Sequence, residues 1–347
     1  QICNYKIMKS FRIYYLLLFS CMTLLQGTGN VNSVTKVATA AANWLKLETG
    51  TRAIGMGGAY TAIGQGIQGV PYNPASLSFI KNSEGFFSVT NYFAGINYSV
   101  LGFATNMSGV DHAGIHIFAL DSGEMDVTTE DYPDGTGEQF KMTGLCLRGT
   151  YSKIITNRLR IGFTGKYIRE QIYTAYMQSF ALDIGSRFDT GLFGFMLGMS
   201  INNLGPEVKY DGEALVVECD DDASPTGYCD QQTDFFPLPL TFRLGVANYI
   251  IGPESTFLKS DKHKFLISMD AINPIDYTLY SAVGMEYTFT DMFFLRFGTH
   301  FGHDTANTSL GAGLQLSSKT FSVGLDYAYV NYGILDYTHQ FGLNFEF

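Results

Sequence analysis

The end of the chain carries the pattern that decides the fold. Its last eight residues are Gln340-Phe341-Gly342-Leu343-Asn344-Phe345-Glu346-Phe347. Large apolar side chains alternate there with polar residues or glycine, and a β-strand directs alternate side chains to opposite faces. This segment is therefore predicted to be a strand with one large apolar face and one small or polar face.

The same alternation recurs upstream, in segments 159–164, 193–202, 240–246 and 321–327. A water-soluble sheet would bury its large face and leave the small, glycine-rich face to water, strand after strand. A barrel in a membrane explains both faces, because its exterior contacts lipid and its interior is polar. Closure of the barrel also pairs every backbone group, as hydrocarbon requires. The sequence thus predicts an all-β protein, a transmembrane antiparallel β-barrel.

Composition supports this class. The chain is 46% hydrophobic and 15% aromatic but only 16% charged, against about a quarter charged in soluble domains. After the first thirty residues, no apolar run approaches the ~18 residues of a membrane-spanning helix. The net charge of −10 argues against a nucleic-acid partner, since phosphate binding requires a basic face.

Counting the alternating segments predicts about fourteen strands, an even number as in bacterial single-chain barrels. If both barrel termini are periplasmic, the two longest connections, 121–138 and 204–237, are extracellular. Connection 251–263 is long on the other side, so it is either a periplasmic excursion or a sign of an error in the count. The predicted strands are 83–92, 96–106, 111–120, 139–154, 159–171, 175–189, 193–203, 238–250, 264–271, 281–289, 293–300, 308–316, 320–330 and 336–347.

Residues 1–30 are interpreted as upstream residues followed by a secretory signal peptide. Met8 is the expected start, and two positive charges precede the apolar stretch Ile13–Leu25, as in signal peptides. Cleavage is expected within residues 27–33. Lipoprotein processing at Cys21 is the alternative.

Residues 31–82 differ in character from the barrel predicted for residues 83–347. They are rich in alanine and glycine, Val34–Leu47 is helix-compatible, and no Lys-Ser/Thr pair follows the glycines as a phosphate-binding loop would require. Small residues let a backbone segment pack closely in a narrow space, so we predict a hatch inside the barrel. Its motif residues are Arg52, Gly55, Met56, Gly57, Gly58, Asn73 and Pro74.

Strand parity directs charged residues of both signs into the lumen. Mixed signs favour a lumen bridged by ion pairs and filled by the hatch over an open ion-selective pore. Arg52 is a candidate partner for one of the inward acids. The predicted lumen charges include Arg160, Arg243, Glu286, Arg296 and Asp326.

Cys219 and Cys229 lie ten residues apart in one polar loop. An exported protein meets an oxidising compartment, so a disulfide is predicted. Metal binding by this pair is disfavoured because no companion His or Cys has zinc-site spacing. We predict no metal, no cofactor and no enzymatic activity, since the histidines form no recognisable catalytic group.

Two stretches also carry a resemblance to a known family. Residues 44–64 (WLKLETGTRAIGMGGAYTAIG) and 72–77 (YNPASL) resemble the opening of PorV/PorQ outer-membrane proteins, relatives of the FadL transporters. Residues 321–347 resemble the last hairpin of that family. Segment 64–70 departs from it, because it lacks an acidic pair that members often carry.

The resemblance implies a fourteen-stranded barrel with an inward hatch, and it implies two functions. The first is an accessory of type IX secretion, whose partners are a large translocon barrel and the C-terminal domains of exported cargo. The alternative is FadL-like passage of fatty acids or other hydrophobic ligands. Both place the chain among outer-membrane lipids. A terminal aromatic strand resembles the signal for barrel assembly, which here comprises Phe341, Leu343, Phe345 and Phe347.

Overall fold

The computed structural model describes residue 37, residues 39–219 and residues 228–347. The predicted signal peptide, its cleavage site and Cys21 lie outside the described residues. Across the described ranges, no helix combines the length and the hydrophobicity needed to cross a membrane.

Fourteen long strands, all within the described residues, form one antiparallel sheet. Each strand pairs with its neighbours in the chain, and the last pairs with the first, so the sheet closes into a barrel. The predicted fold class is confirmed. The strands are β1 (Ser83–Asn91), β2 (Asn97–Asn106), β3 (Asp111–Asp121), β4 (Met142–Ile154), β5 (Leu159–Ile172), β6 (Ala175–Asp189), β7 (Met196–Leu204), β8 (Thr241–Gly252), β9 (His263–Pro274), β10 (Tyr280–Phe289), β11 (Phe293–Phe301), β12 (Thr308–Ser317), β13 (Ser322–Asn331) and β14 (Tyr337–Glu346).

Some strand boundaries differ from the prediction for local reasons. β4 begins three residues later than predicted, because Gln139–Phe140 pairs with Met125–Asp126 in a separate small hairpin. β8 begins after Pro239, which has no backbone N–H to donate to a neighbouring strand. The alternation of apolar residues does not record boundaries that a local hairpin or a proline sets.

The two faces of the wall differ as the alternation predicts. On β14, Phe341 is 54% exposed while its neighbour Gly342 is buried. The same contrast holds along the other strands, so the outer surface is a broad apolar band. Large exposed side chains of this band include Phe87, Leu101, Phe103, Ile115, Phe163, Phe180, Leu182, Phe242, Leu244, Leu295, Phe297, Leu310 and Leu325.

The barrel has two unlike ends. We call the end that carries Ser83 and Phe347 the terminal end, and the opposite end the loop end. Long connections 122–141 and 205–240 lie at the loop end, on the side predicted for them. Connection 253–262 is a long turn at the terminal end, so the predicted strand count contains no error there.

The N-terminal segment contains only short helices. They are α1 (Thr51–Gly55) and the 3-10 helices Asn43–Lys46, Ile67–Gly69 and Pro74–Phe79. The helix-compatible stretch 34–47 thus yields one turn among its described residues. Ala42 adopts a left-handed backbone with φ of 48°, which a regular helix does not contain. Three further 3-10 turns lie at the loop end, at Phe93–Gly95, Glu213–Leu215 and Gly333–Leu335.

The wall is irregular between β6 and β7. β6 has fifteen residues and β7 has nine, and their register shifts between Leu182 and Ile184. Nearer the loop end, Asp211–Gly212 pairs with the first two residues of β6. In the described part of the chain, residues 177–181 therefore have no strand partner on the β7 side. We call this interruption the seam.

Candidate functional site

The hatch, residues 39–82, runs around the inside of the barrel and packs against glycines of the wall. A Cβ on Gly298 would overlap the backbone at Gly57, and one on Gly162 would overlap Pro74. Gly57 itself has a φ of 62°, a conformation that glycine adopts without steric cost. The small inward face of the strands is therefore the space that the hatch backbone fills.

Four charges, three of them buried and Arg52 partly buried, join the hatch to the wall. Arg52 of α1 contacts Glu286 at 2.6 Å, and Arg296 contacts the same carboxylate at 2.7 Å. Arg296 also contacts Asp326 at 2.5 Å. The four formal charges cancel, so the quartet is neutral, and removing one member would leave a buried charge uncompensated. Glu286, Arg296 and Asp326 are three of the predicted lumen charges. Arg52 contacts one of the inward acids, as the sequence suggested.

A second attachment uses backbone donors of the hatch. The buried carboxylate of Asp270 accepts hydrogen bonds from the backbone N–H groups of Tyr60 and Thr61, at 3.0 and 2.9 Å. The guanidinium of Arg243 lies 5.3 Å from the ring centre of Tyr72. Arg243 is the fourth predicted lumen charge, and it contacts the hatch through an aromatic face.

The last part of the hatch is positioned by Asn73. Its side-chain amide donates to the carbonyls of Thr61 and Ser186, at 2.8 and 2.9 Å. Its oxygen accepts from the N–H of Ala75 and caps the 3-10 helix that Pro74 begins. At the end of this helix, Arg160 lies 4.2 Å from the Phe79 ring and contacts Asp189 at 3.3 Å. All five predicted lumen charges therefore face the interior.

The side of the lumen along β1–β6 contains the largest apolar cluster of the described residues, and we call it the apolar side. Side chains of the hatch and of β1–β6 form one continuous buried cluster that extends from the loop end to the seam. Half-buried residues surround its rim at the loop end: Tyr92, Met142, Tyr210 and Phe236. Buried charges lie on both sides of the lumen, because Arg148, Lys166 and Asp183 face it from β4, β5 and β6. The side along β1–β6 is distinguished by the size of its apolar cluster.

Three residues that the sequence analysis did not single out meet within the apolar side. Trp44 of the hatch donates from its indole N–H to Glu170 at 2.6 Å, and the Tyr210 hydroxyl donates to the other carboxylate oxygen at 2.5 Å. Trp44 also stacks on Phe118, with ring centres 5.3 Å apart. Burial and the adjacent Glu170 carboxylate raise the pKa of Tyr210, so its hydroxyl remains a donor. Inward parity on β5 would have identified Glu170, but its partners are far away in sequence.

The seam is held by polar contacts around the end of β7. Asn203 has a φ of 63°, and its N–H donates to Asp183 at 2.7 Å. Lys166 contacts both Asp183 and the Asn203 side chain at 2.7 Å. The Asn203 amide donates in turn to the Pro239 carbonyl at 3.0 Å. This turn ends β7 and leads the chain into the loop that covers the seam.

The remaining predicted residues lie on the loops and the outer face. Cys219 and Cys229 form a disulfide. Cys229 lies in the second strand of a hairpin of Val216–Glu218 and Tyr228–Asp230, and Cys219 directly follows the first strand. Of the predicted assembly signal, Phe341, Phe345 and Phe347 are exposed, and Leu343 is half-buried on the same face.

Solved structures of other proteins have the same fold. The Pseudomonas putida toluene transporter TodX superposes with a TM-score of 0.56 at 11% identity, covering 86% of this chain and 97% of TodX. The Ralstonia pickettii toluene transporter TbuX gives 0.55 at 12% identity, with 86% and 98% coverage. A Pseudomonas aeruginosa FadL homologue gives 0.53 at 11% identity, with 86% and 97% coverage. No protein-family model and no curated protein sequence matches the chain. At these identities the comparisons establish the FadL-like barrel fold.

The glycine packing predicts a sensitive position. Gly298→Ala should lower the free energy of unfolding by about 1–3 kcal/mol, because the new methyl group overlaps the hatch backbone. Urea unfolding of the purified barrel in detergent would measure this. Gly149→Ala is the matched control, since a Cβ there meets nothing within 4 Å. Equal effects of the two variants would contradict the close packing.

The charge quartet predicts a compensating pair of variants. Glu286→Ala should destabilise the barrel by about 3–5 kcal/mol, because Arg52 then has no carboxylate partner in the quartet. The double variant Glu286→Ala/Arg52→Met leaves the neutral pair of Arg296 and Asp326. It should recover more than half of the lost stability in the same unfolding measurement. A double variant as unstable as the single one would show that charge balance does not attach the hatch.

Proposed function

We propose that this chain is a bacterial outer-membrane barrel that carries small hydrophobic compounds across the membrane. The observation that carries the proposal is the continuous apolar cluster between the hatch and β1–β6. The structural likeness to two toluene transporters supports the same conclusion.

The proposed orientation follows from the loops. Outer-membrane barrels have short periplasmic turns and longer extracellular loops. We therefore place Ser83 and Phe347 in the periplasm and the loop end at the cell surface. A compound would enter through the half-buried aromatic rim, where Tyr210 and Phe236 lie.

The seam provides the proposed way out of the lumen. Met177 and Ala181 of β6 lie along it, and Val208 and Leu238 of the covering loop pack in the same apolar cluster. A hydrophobic compound that displaced these loop side chains would reach the lipid without passing the charge quartet around Glu286. No ladder of hydrogen bonds between strands has to break there, because residues 177–181 have no strand partner on the β7 side within the described chain.

Uptake by proteoliposomes tests the proposal. Liposomes containing the purified full chain should accumulate radiolabelled toluene faster than protein-free liposomes, and glucose uptake should match the protein-free rate. Leu238→Asn, which places an amide in the seam, should slow toluene uptake several-fold. Leu335→Asn is the matched control, because Leu335 lies on a turn at the loop end and is 37% exposed. Absence of toluene uptake, or equal rates for glucose, would overturn the proposal.

A second candidate is the accessory role in type IX secretion that the sequence resemblance implies. The disulfide-linked hairpin at the loop end favours it, because Val216 is 42% and Tyr228 is 55% exposed there. Exposed apolar residues on a braced hairpin are suited to binding another protein. Affinity purification from native outer membranes under mild detergent tests this role. Co-purification of a large barrel, or of exported proteins with a shared C-terminal domain, is expected, and a lone barrel would rule it out.

A further inference from the structure

Trp44 occupies a flat slot that the wall provides for an aromatic ring. The indole and the Phe118 ring are nearly parallel, with an angle of 8° between them. On the wall strand next to β3, a Cβ on Gly144 would lie 2.7 Å from the indole, so the absence of a side chain there makes room for it. Cys146 and Ile168, both fully buried, belong to the same cluster.

The slot also carries a polar group placed for one donor of the ring. Glu170 is 4% exposed, and its two oxygens accept from the Trp44 N–H and the Tyr210 hydroxyl. A carboxylate at the edge of an apolar slot selects rings that carry an N–H or O–H group, because a plain hydrocarbon would leave one oxygen unpaired. The slot therefore has the shape of an aromatic ring, and one Glu170 oxygen at its edge can accept a hydrogen bond from one N–H or O–H group of that ring.

We propose that this slot is a binding site for small aromatic compounds with a hydrogen-bond donor, such as phenols and indoles, and that Trp44 is its internal occupant. The proposal rests on the proposed function and specifies its substrate class. An entering ligand takes the place of the indole, stacks on Phe118 and donates to Glu170. Displacement of Trp44 then moves the first part of the hatch away from the apolar side of the lumen.

The segment that carries Trp44 has its own attachment to the wall, the ion pair of Lys46 with Asp276 at 2.6 Å, separate from those of the rest of the hatch. It follows Ala42, whose left-handed φ of 48° is strained for a residue with a Cβ. Its 3-10 helix is one turn long and has no side-chain cap at its start. The charge quartet and the Asp270 contacts involve residues from Arg52 onward, so withdrawal of Trp44 leaves those attachments in place.

Trp44 is the single tryptophan of the chain, so its fluorescence reports on the slot directly. Phenol and toluene are titrated into the wild-type barrel in detergent, with excitation at the long-wavelength edge of tryptophan absorption. Phenol should shift the emission saturably to longer wavelength as the indole reaches water. Toluene, which has the same size but no donor, should require at least about tenfold higher concentration. No saturable shift with phenol, or an equal response to both probes, would overturn the proposal.

Two variants separate a natural site from an accidental cavity. Glu170→Leu should abolish the preference for phenol over toluene, whereas Glu170→Gln, which keeps an acceptor oxygen, should retain part of it. Trp44→Ala should bind phenol more tightly than the wild type by calorimetry, because the internal competitor is gone. If Trp44→Ala binds phenol but the wild-type emission never shifts, the slot is a cavity made by mutation and the proposal fails. The wild-type titration decides even if Trp44→Ala does not fold.

The proposed function and this site can fail separately. Wild-type proteoliposomes that take up toluene, together with a Trp44 emission that does not respond to phenol, would keep the transport function and reject the site. A saturable phenol response, together with faster uptake of phenol than in the Glu170→Leu variant, would support both.

Discussion

The architecture depends on one constraint on the backbone of the wall. The outer face is an apolar band, which offers no partner to an N–H or C=O group, so each strand must be paired on both sides. Fourteen strands within the described chain meet this condition by closing β14 onto β1, except at the seam, where residues 177–181 have no strand partner on the β7 side. Closure at this size creates a lumen, and the lumen has to be filled. The hatch, the inward glycines and the buried charges all follow from that requirement.

The lumen is filled in two physically different ways. Along β7–β13, the hatch is attached by directional contacts: the quartet around Glu286 and the Asp270 carboxylate that accepts two backbone N–H groups. Along β1–β6, it is attached mainly by apolar packing, which has little directional preference. Ion pairs hold one arrangement, whereas an apolar surface accepts any apolar group of suitable size. The hatch therefore has a fixed side, held by directional contacts, and an exchangeable side, where another apolar group could replace its side chains.

The proposed function and the proposed site both use the exchangeable side. The seam, the aromatic rim and the Trp44 slot belong to one buried cluster, so a ligand would remain in apolar surroundings from the loop end to the wall. Glu170 is one of several buried polar residues near this cluster, with Arg148, Lys166 and Asp183. Its position beside an aromatic slot would set which compounds are held. The contribution of each feature is measurable separately, since Trp44 and Leu238 lie on different segments.

The sequence by itself determined the wall. Alternation with a period of two is a local property, and it predicted the closed barrel, the number of strands and the inward direction of Arg160, Arg243, Glu286, Arg296 and Asp326. It also indicated an inward hatch, because clustered glycines permit close backbone packing. Tertiary structure alone decided which residues meet. Trp44 and Glu170 are 126 positions apart, and the seam depends on a register shift that side-chain alternation does not record. Such pairings arise from the path of the hatch through the lumen, which no local pattern encodes.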